Sequence, residues 1–205
     1  MSYISIFIIS FTIALSGALA PGPLLAVVIY EGAKRGFKSG PLIILGHSLL
    51  EIIMIAIIIF GLSSFINNPI ILKIIFFVGA FILFAFGTKM LASVKHISLN
   101  IKDSYKKSSN LVLTGITMSL ANPYWTIWWL TIGLGLLLLA KKQGFIAIAI
   151  FFIGHILADF LWYSIVSFTI SKGRKFISEK IYKSVVFICG LTLIGFGIYF
   201  AISSF

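Results

Sequence analysis

The chain has 205 residues, 60% hydrophobic and only 10% charged, with a mean hydropathy of +1.14. This composition excludes a soluble domain and leaves an integral membrane protein. The formal net charge of +11 would suit a nucleic-acid binder, but the basic residues are grouped by loop, which excludes that partner and supplies a topology instead.

A bilayer core about 30 Å thick needs roughly 20 apolar residues per helical span, and six runs qualify: 3–30, 40–66, 69–92, 111–140, 144–170 and 181–203. The first contains Pro21-Gly22-Pro23. The SGALA before Pro21 imitates a signal-peptide cleavage site, yet no basic residue precedes the apolar stretch and proline would follow the cut, so the run is read as a span. Proline has no N–H and clashes with the preceding turn. In a regular helix Pro21 and Pro23 therefore free the carbonyls of Gly17 and Leu19. Irregular backbone at membrane depth persists only where it is buried in protein or lines a wet cavity.

The second run carries GHSLLE, Gly46 to Glu51. Positions i and i+4 lie about 40° apart on a helix, so His47 and Glu51 share a face. Asn67 and Asn68 before Pro69 make a short turn into the third run. Residues 93–110 are polar and basic and read as a linker, with Ser108-Ser109-Asn110 placed to start the fourth run. That run is broken by Asn122-Pro123, which frees the Ser119 carbonyl and has the pattern of a helix start, an N-cap side chain followed by proline at the first helical position. The positive end of a half-helix then points into the membrane. Tyr124, Trp125, Trp128 and Trp129 after the break, and Trp162 with Tyr163 later, are read as interface belt or packing.

The fifth run repeats the polar pair as GHILAD, Gly154 to Asp159, placing His155 and Asp159 on one face. A lone intramembrane carboxylate costs roughly 2.5–3.5 kcal/mol on insertion scales. The chain has three histidines and five acids, and two of each stand in these pairs. The bland reading is interhelical glue; the reading preferred is a proton relay or ion-coupling site formed by His47, Glu51, His155 and Asp159. In the sixth run, KSVVFICGLTLIGFG from Lys183 overlays KIIFFVGAFILFAFG from Lys73 without a gap. The single Cys189 excludes an internal disulfide and a dithiol redox cycle.

The order broken run, GH-carboxylate run, Lys-to-FG run occurs twice. Three spans per half is odd, so the second half enters the membrane upside down: an inverted repeat of 1–92 and 111–205 joined by the linker 93–110. Thirteen of the 16 basic residues fall in alternate loops, those near Lys34, Lys102 and Arg174. The positive-inside rule puts these loops in the cytoplasm and both termini outside.

PGP at 21–23, Gly36 and Gly40 in KRGFKSG, Gly46, LKIIFFVGAFILFAFGTKML at 72–91, and Gly115 followed by Asn122-Pro123 together resemble the LysE/RhtB family of amino-acid exporters across most of the chain. The resemblance implies a six-helix secondary transporter in the inner or plasma membrane, exporting an amino acid or related zwitterion in exchange for protons. Two positions depart from the family pattern: Leu24 stands where an acid commonly follows PGP, and Tyr124 where a basic residue commonly follows NP. Glu51 or Asp159 can supply the missing charge, while the freed carbonyls near Gly17, Leu19 and Ser119 are expected to accept the substrate ammonium and the half-helix starts after Pro23 and Pro123 to face its carboxylate.

The expectation is thus an all-α membrane protein, a transporter and not an enzyme. No catalytic residue, resident metal or cofactor is assigned. Its substrate site is expected at Gly17, Leu19, Pro21, Gly22, Pro23, Ser119, Asn122 and Pro123. Two histidines and two carboxylates also suit a divalent cation, so a metal exporter is the alternative. The oligomeric state is left open.

Overall fold

The computed structural model describes residues 2–19, 22–61, 69–96, 110–173 and 178–203. Among these the chain is helical without strands. Pro21, the Asn67-Asn68 turn and most of the 93–110 linker lie outside the described residues.

Helix α1, Tyr3–Ala18, starts at Ser2, whose hydroxyl accepts the Ser5 N–H at 3.1 Å. Its buried residues, Ile6, Ser10, Ala14 and Ala18, recur every four positions and form one narrow face. After the break, α2 runs from Pro23 to Arg35, bent 75° from α1. Proline at the first helical position loses nothing there, because that N–H has no intrahelical acceptor. Gly36, at φ 87°, ends α2 in the left-handed region that favours glycine. The Arg35 guanidinium pairs with Glu31 at 2.7 Å, and the Ser39 hydroxyl donates to the Glu31 carbonyl at 2.9 Å, tying this turn to α3, Ser39–Ile59.

Helix α4, Pro69–Ser93, passes into a 3-10 turn at Val94–His96. Helix α5, Leu111–Leu120, is capped by Asn110, whose side chain accepts the N–H groups of Val112 and Leu113. The second break follows with a bend of 70°. Helix α6, Pro123–Trp128, continues through a π turn, Trp129–Gly133, into α7, Leu134–Lys141. Two long helices close the chain, α8 at Phe145–Gly173 and α9 at Glu179–Ser203.

The packing is exchanged between the two halves: α1 lies along α8, α5 lies along α3, and α4 pairs with α9. Glycines set these crossings. A Cβ on Gly46 would meet the Val112 carbonyl of α5, and one on Gly154 would stand 2.8 Å from the Phe7 carbonyl of α1. The glycine before each histidine therefore lets a broken helix press its backbone onto the helix that carries the polar pair. Ser10 strengthens the second crossing by donating to the Phe151 carbonyl at 2.6 Å.

Among the described residues, helices α3, α8 and α9 are long and apolar enough to cross a membrane, and up to five spans result if each bent pair counts as one. In α4 the segment Phe76–Ala92 is a shorter apolar helix. Leucine, isoleucine and phenylalanine side chains cover much of the exterior, with Phe81 72% exposed and Ile188 60% exposed. In water such a surface would aggregate, whereas a lipid exterior accommodates it. The chain is a multi-pass membrane protein.

Candidate functional site

Where the two helix breaks meet α3 and α8, a cavity of about 500 Å³ opens. Its wall includes Gly17 from the end of α1, Gly22 and Pro23 from the start of α2, and Ser119 and Asn122 from the second break. His47 and Glu51 reach it from α3, and His155 and Asp159 from α8. Helical spacing put each histidine beside its own carboxylate; the exchanged packing brings the two pairs together.

One atom is the hub. Glu51 Oε1 lies 3.1 Å from Nε2 of His47 and 3.0 Å from Nε2 of His155. It also accepts the indole N–H groups of Trp129 at 3.1 Å and Trp125 at 3.3 Å. Asp159 Oδ2 stands 3.6 Å from His47 Nε2 and 3.5 Å from His155 Nε2. All four titratable residues are buried. His155 is walled by rings, with centroids 4.7 Å from Trp128 and 5.4 Å from Trp129.

Proton bookkeeping follows from these contacts. The Ser119 hydroxyl donates to the Gly115 carbonyl at 2.8 Å, so it accepts from His47 Nδ1–H at 2.6 Å. With that proton on Nδ1, the contact between His47 Nε2 and Glu51 needs a second one, carried by the imidazole or by the carboxyl. A histidine and an acid in such contact can share a proton. Three buried atoms of the cluster, Glu51 Oε2, His155 Nδ1 and Asp159 Oδ2, have no hydrogen-bond partner among the described residues. Unsatisfied buried polar atoms are expensive in a structural role and ordinary in a binding site.

Several expected site residues are placed differently. Leu19 is half-exposed and off the cavity, and Ala18 and Leu24 line it instead. The Ser119 carbonyl is not free: the chain turns after α5, and Asn122 N–H donates to it at 3.1 Å. The Ser119 hydroxyl, not its carbonyl, serves the cluster. Pro123 begins α6, as the NP pattern predicts. Gly22 provides no side-chain cap, and the first bond of α2 is Ala26 N–H to the Gly22 carbonyl at 3.1 Å. The N–H groups of Leu24 and Leu25 precede that bond, at the positive end of the helix.

Trp125 and Trp129 are not merely belt or packing residues: both donate to Glu51. Their spacing of four residues, directly after a helix start inside the membrane, was the available signal, since it aims two indole N–H groups the same way. His47, Glu51 and Asp159 also offer one donor atom each within 4.8 Å of one another, which suits a metal ion.

A family model described as LysE type translocator matches residues 15–204. A Bacillus subtilis protein named "Putative amino acid efflux protein YcgF" is 29% identical over 201 residues, spanning 96% of this chain and 95% of its own length. No solved structure matches the chain.

Proposed function

The chain belongs to the LysE type translocator family, and from that premise we propose that it exports an amino acid or a related small zwitterion across the cytoplasmic membrane by proton antiport. The observation that carries this reading is the convergence of His47, Glu51, His155 and Asp159 on one cavity wall shared with both helix breaks. The B. subtilis relative, named for amino acid efflux, supports the substrate class.

In this account α1 to α4 and α5 to α9 are two inverted three-span repeats, with each bent pair one span and α4 the third span of its half. The exchange of α1 onto α8 and α5 onto α3 supports it, as does the duplicated glycine–histidine–carboxylate pattern. The two halves rock about the cavity to expose it to either side. The basic loops face the cytoplasm and both termini lie outside.

Exchange arises because imidazolium and substrate ammonium compete for the negative charge of the cluster. A proton arriving from the outside charges an imidazole, which pairs with Glu51 and Asp159 and displaces the substrate's ammonium. A substrate arriving from the cytoplasm brings its own positive charge, and the proton leaves. The substrate carboxylate lies toward the open N-terminus of α2 at Leu24 and Leu25. Flux of amino acids in proteoliposomes, with and without an imposed pH gradient, tests the account.

The donor geometry of His47, Glu51 and Asp159 favours a second reading, in which a divalent cation is the substrate. Chelation separates the two: it leaves amino-acid export intact and abolishes export of a metal.

A further inference from the structure

The two carboxylates of the cluster are held very differently. Glu51 Oε1 has four nitrogens at 3.0–3.3 Å, those of His47, His155, Trp125 and Trp129, and Glu51 is only 1% exposed, although its Oε2 has no hydrogen-bond partner among the described residues. Moving it would break charge-assisted bonds to four side chains on three helices. Asp159 Oδ2 has no hydrogen-bond partner among the described residues, and its imidazole neighbours stand at 3.5 and 3.6 Å, longer than a charge-assisted hydrogen bond. It too is buried, 5% exposed, and on the cavity wall. A buried carboxylate oxygen without a donor is completed by a ligand that brings N–H groups of its own.

Away from the polar cluster the wall is apolar, with Leu24, Ile127, Ile132 and Phe196 lining it. Thr131 also lines the cavity, but its hydroxyl is engaged at 2.7 Å with the Ile127 carbonyl. No Lys or Arg is among the described lining residues, so a second carboxylate on the substrate would find no cation there other than the two imidazoles already facing Glu51 and Asp159. A second ammonium would need another acid; Glu51 Oε2 is also without a partner among the described residues, but that carboxylate is already engaged through Oε1 by two imidazole and two indole nitrogens.

We propose that Asp159, and not Glu51, receives the substrate's ammonium, and that the substrate is a neutral amino acid whose apolar side chain lies against Leu24, Ile132 and Phe196. Glu51 is a positioning residue that keeps both imidazoles aimed. This rests on the export reading above and divides its labour: His47, His155 and Glu51 hold the proton, and Asp159 holds the substrate.

The test titrates the purified full-length protein in nanodiscs, read by the fluorescence of the tryptophans around the cluster. The probes are leucine, methionine, phenylalanine, lysine, glutamate, and isocaproate, which is the leucine skeleton without its amino group. Wild type should bind leucine, methionine or phenylalanine at least about tenfold more tightly than lysine or glutamate. It should prefer leucine to isocaproate by a similar factor, and Asp159→Asn should abolish that preference while keeping the thermal melting of a folded protein. Glu51→Gln should melt earlier yet, where it folds, still distinguish leucine from isocaproate. A leucine preference that survives Asp159→Asn overturns the assignment, as does tighter binding of lysine or glutamate than of leucine. If Glu51→Gln does not fold, the Asp159 arm decides alone. Proteoliposome flux keeps the two readings apart: transport of lysine or glutamate alone defeats only this inference, whereas no binding and no flux for any amino acid defeats the export reading with it.

Discussion

His155 Nε2 and Glu51 Oε1 lie 3.0 Å apart although 104 residues separate them in the chain. They stand on α8 and α3, so the contact between them joins the first and second halves of the chain at the cavity wall. In the proposed rocking of one half against the other this contact stretches and re-forms, and the proposed coupling of proton movement to alternating access resides there.

The indole donors to Glu51 should matter as hydrogen-bonding groups. Trp129→Phe keeps an aromatic ring at a fully buried position but leaves Glu51 without its 3.1 Å indole donor. A hydrogen bond to a charged group contributes about 1.5–3 kcal/mol, so melting in detergent should fall measurably and pH-driven flux should fall further than the amount of folded protein. Trp125→Phe, which removes the longer 3.3 Å contact, should have the smaller effect. Equal, negligible effects would return both residues to packing.

The glycines before the histidines should be intolerant of side chains. Gly46→Ala places a methyl group against the Val112 carbonyl, and forcing an extra carbon into a close crossing costs about 1–3 kcal/mol. Gly154→Ala meets the Phe7 carbonyl at 2.8 Å and should be somewhat milder. Gly135→Ala, with nothing within 4 Å, is the control and should be neutral or gain about 0.5–1 kcal/mol of helix stability. Thermal unfolding in one detergent ranks all three.

The sequence showed which residues belong together on one helix and not which helices belong together in space. Spacing of four residues placed His47 beside Glu51 and His155 beside Asp159, and the proline breaks marked the ends of α1 and α5. The convergence of the pairs depends on α1 packing against α8 and α5 against α3, contacts between segments more than 50 residues apart. No local period encodes such contacts, although the repeated Gly46 and Gly154 mark where they occur. The Ser119 carbonyl is free only in a helix that stays regular up to Pro123; the turn at Asn122 supplies the missing donor. Trp125 and Trp129 were missed because tryptophan near a helix end has a commoner explanation at the membrane interface.

The breaks should be functional. Pro23→Ala and Pro123→Ala restore an N–H and let the chain extend the helix. Transport should decline more than the amount of folded protein in the membrane, because the open start of α2 and the turn carrying Ser119 both depend on an interrupted helix. Unchanged flux in both variants would reduce the breaks to packing features.

Orientation is testable by labelling after Cys189 is replaced. A cysteine introduced near residue 105 should resist an impermeant thiol reagent in intact cells, while one near residue 142 should react. The reverse pattern would put the termini in the cytoplasm.

The central claim, proton-coupled amino-acid export through the His–carboxylate cluster, is tested most directly by one flux measurement. Wild type and Glu51→Gln are reconstituted in proteoliposomes, amino-acid movement is followed with and without a pH gradient, and each assay is repeated with a chelator. The account predicts that the gradient drives wild-type flux, that chelation leaves it unchanged, and that Glu51→Gln loses the response to the gradient. Flux that disappears with chelator, or that responds to the gradient as strongly in Glu51→Gln as in wild type, would contradict it.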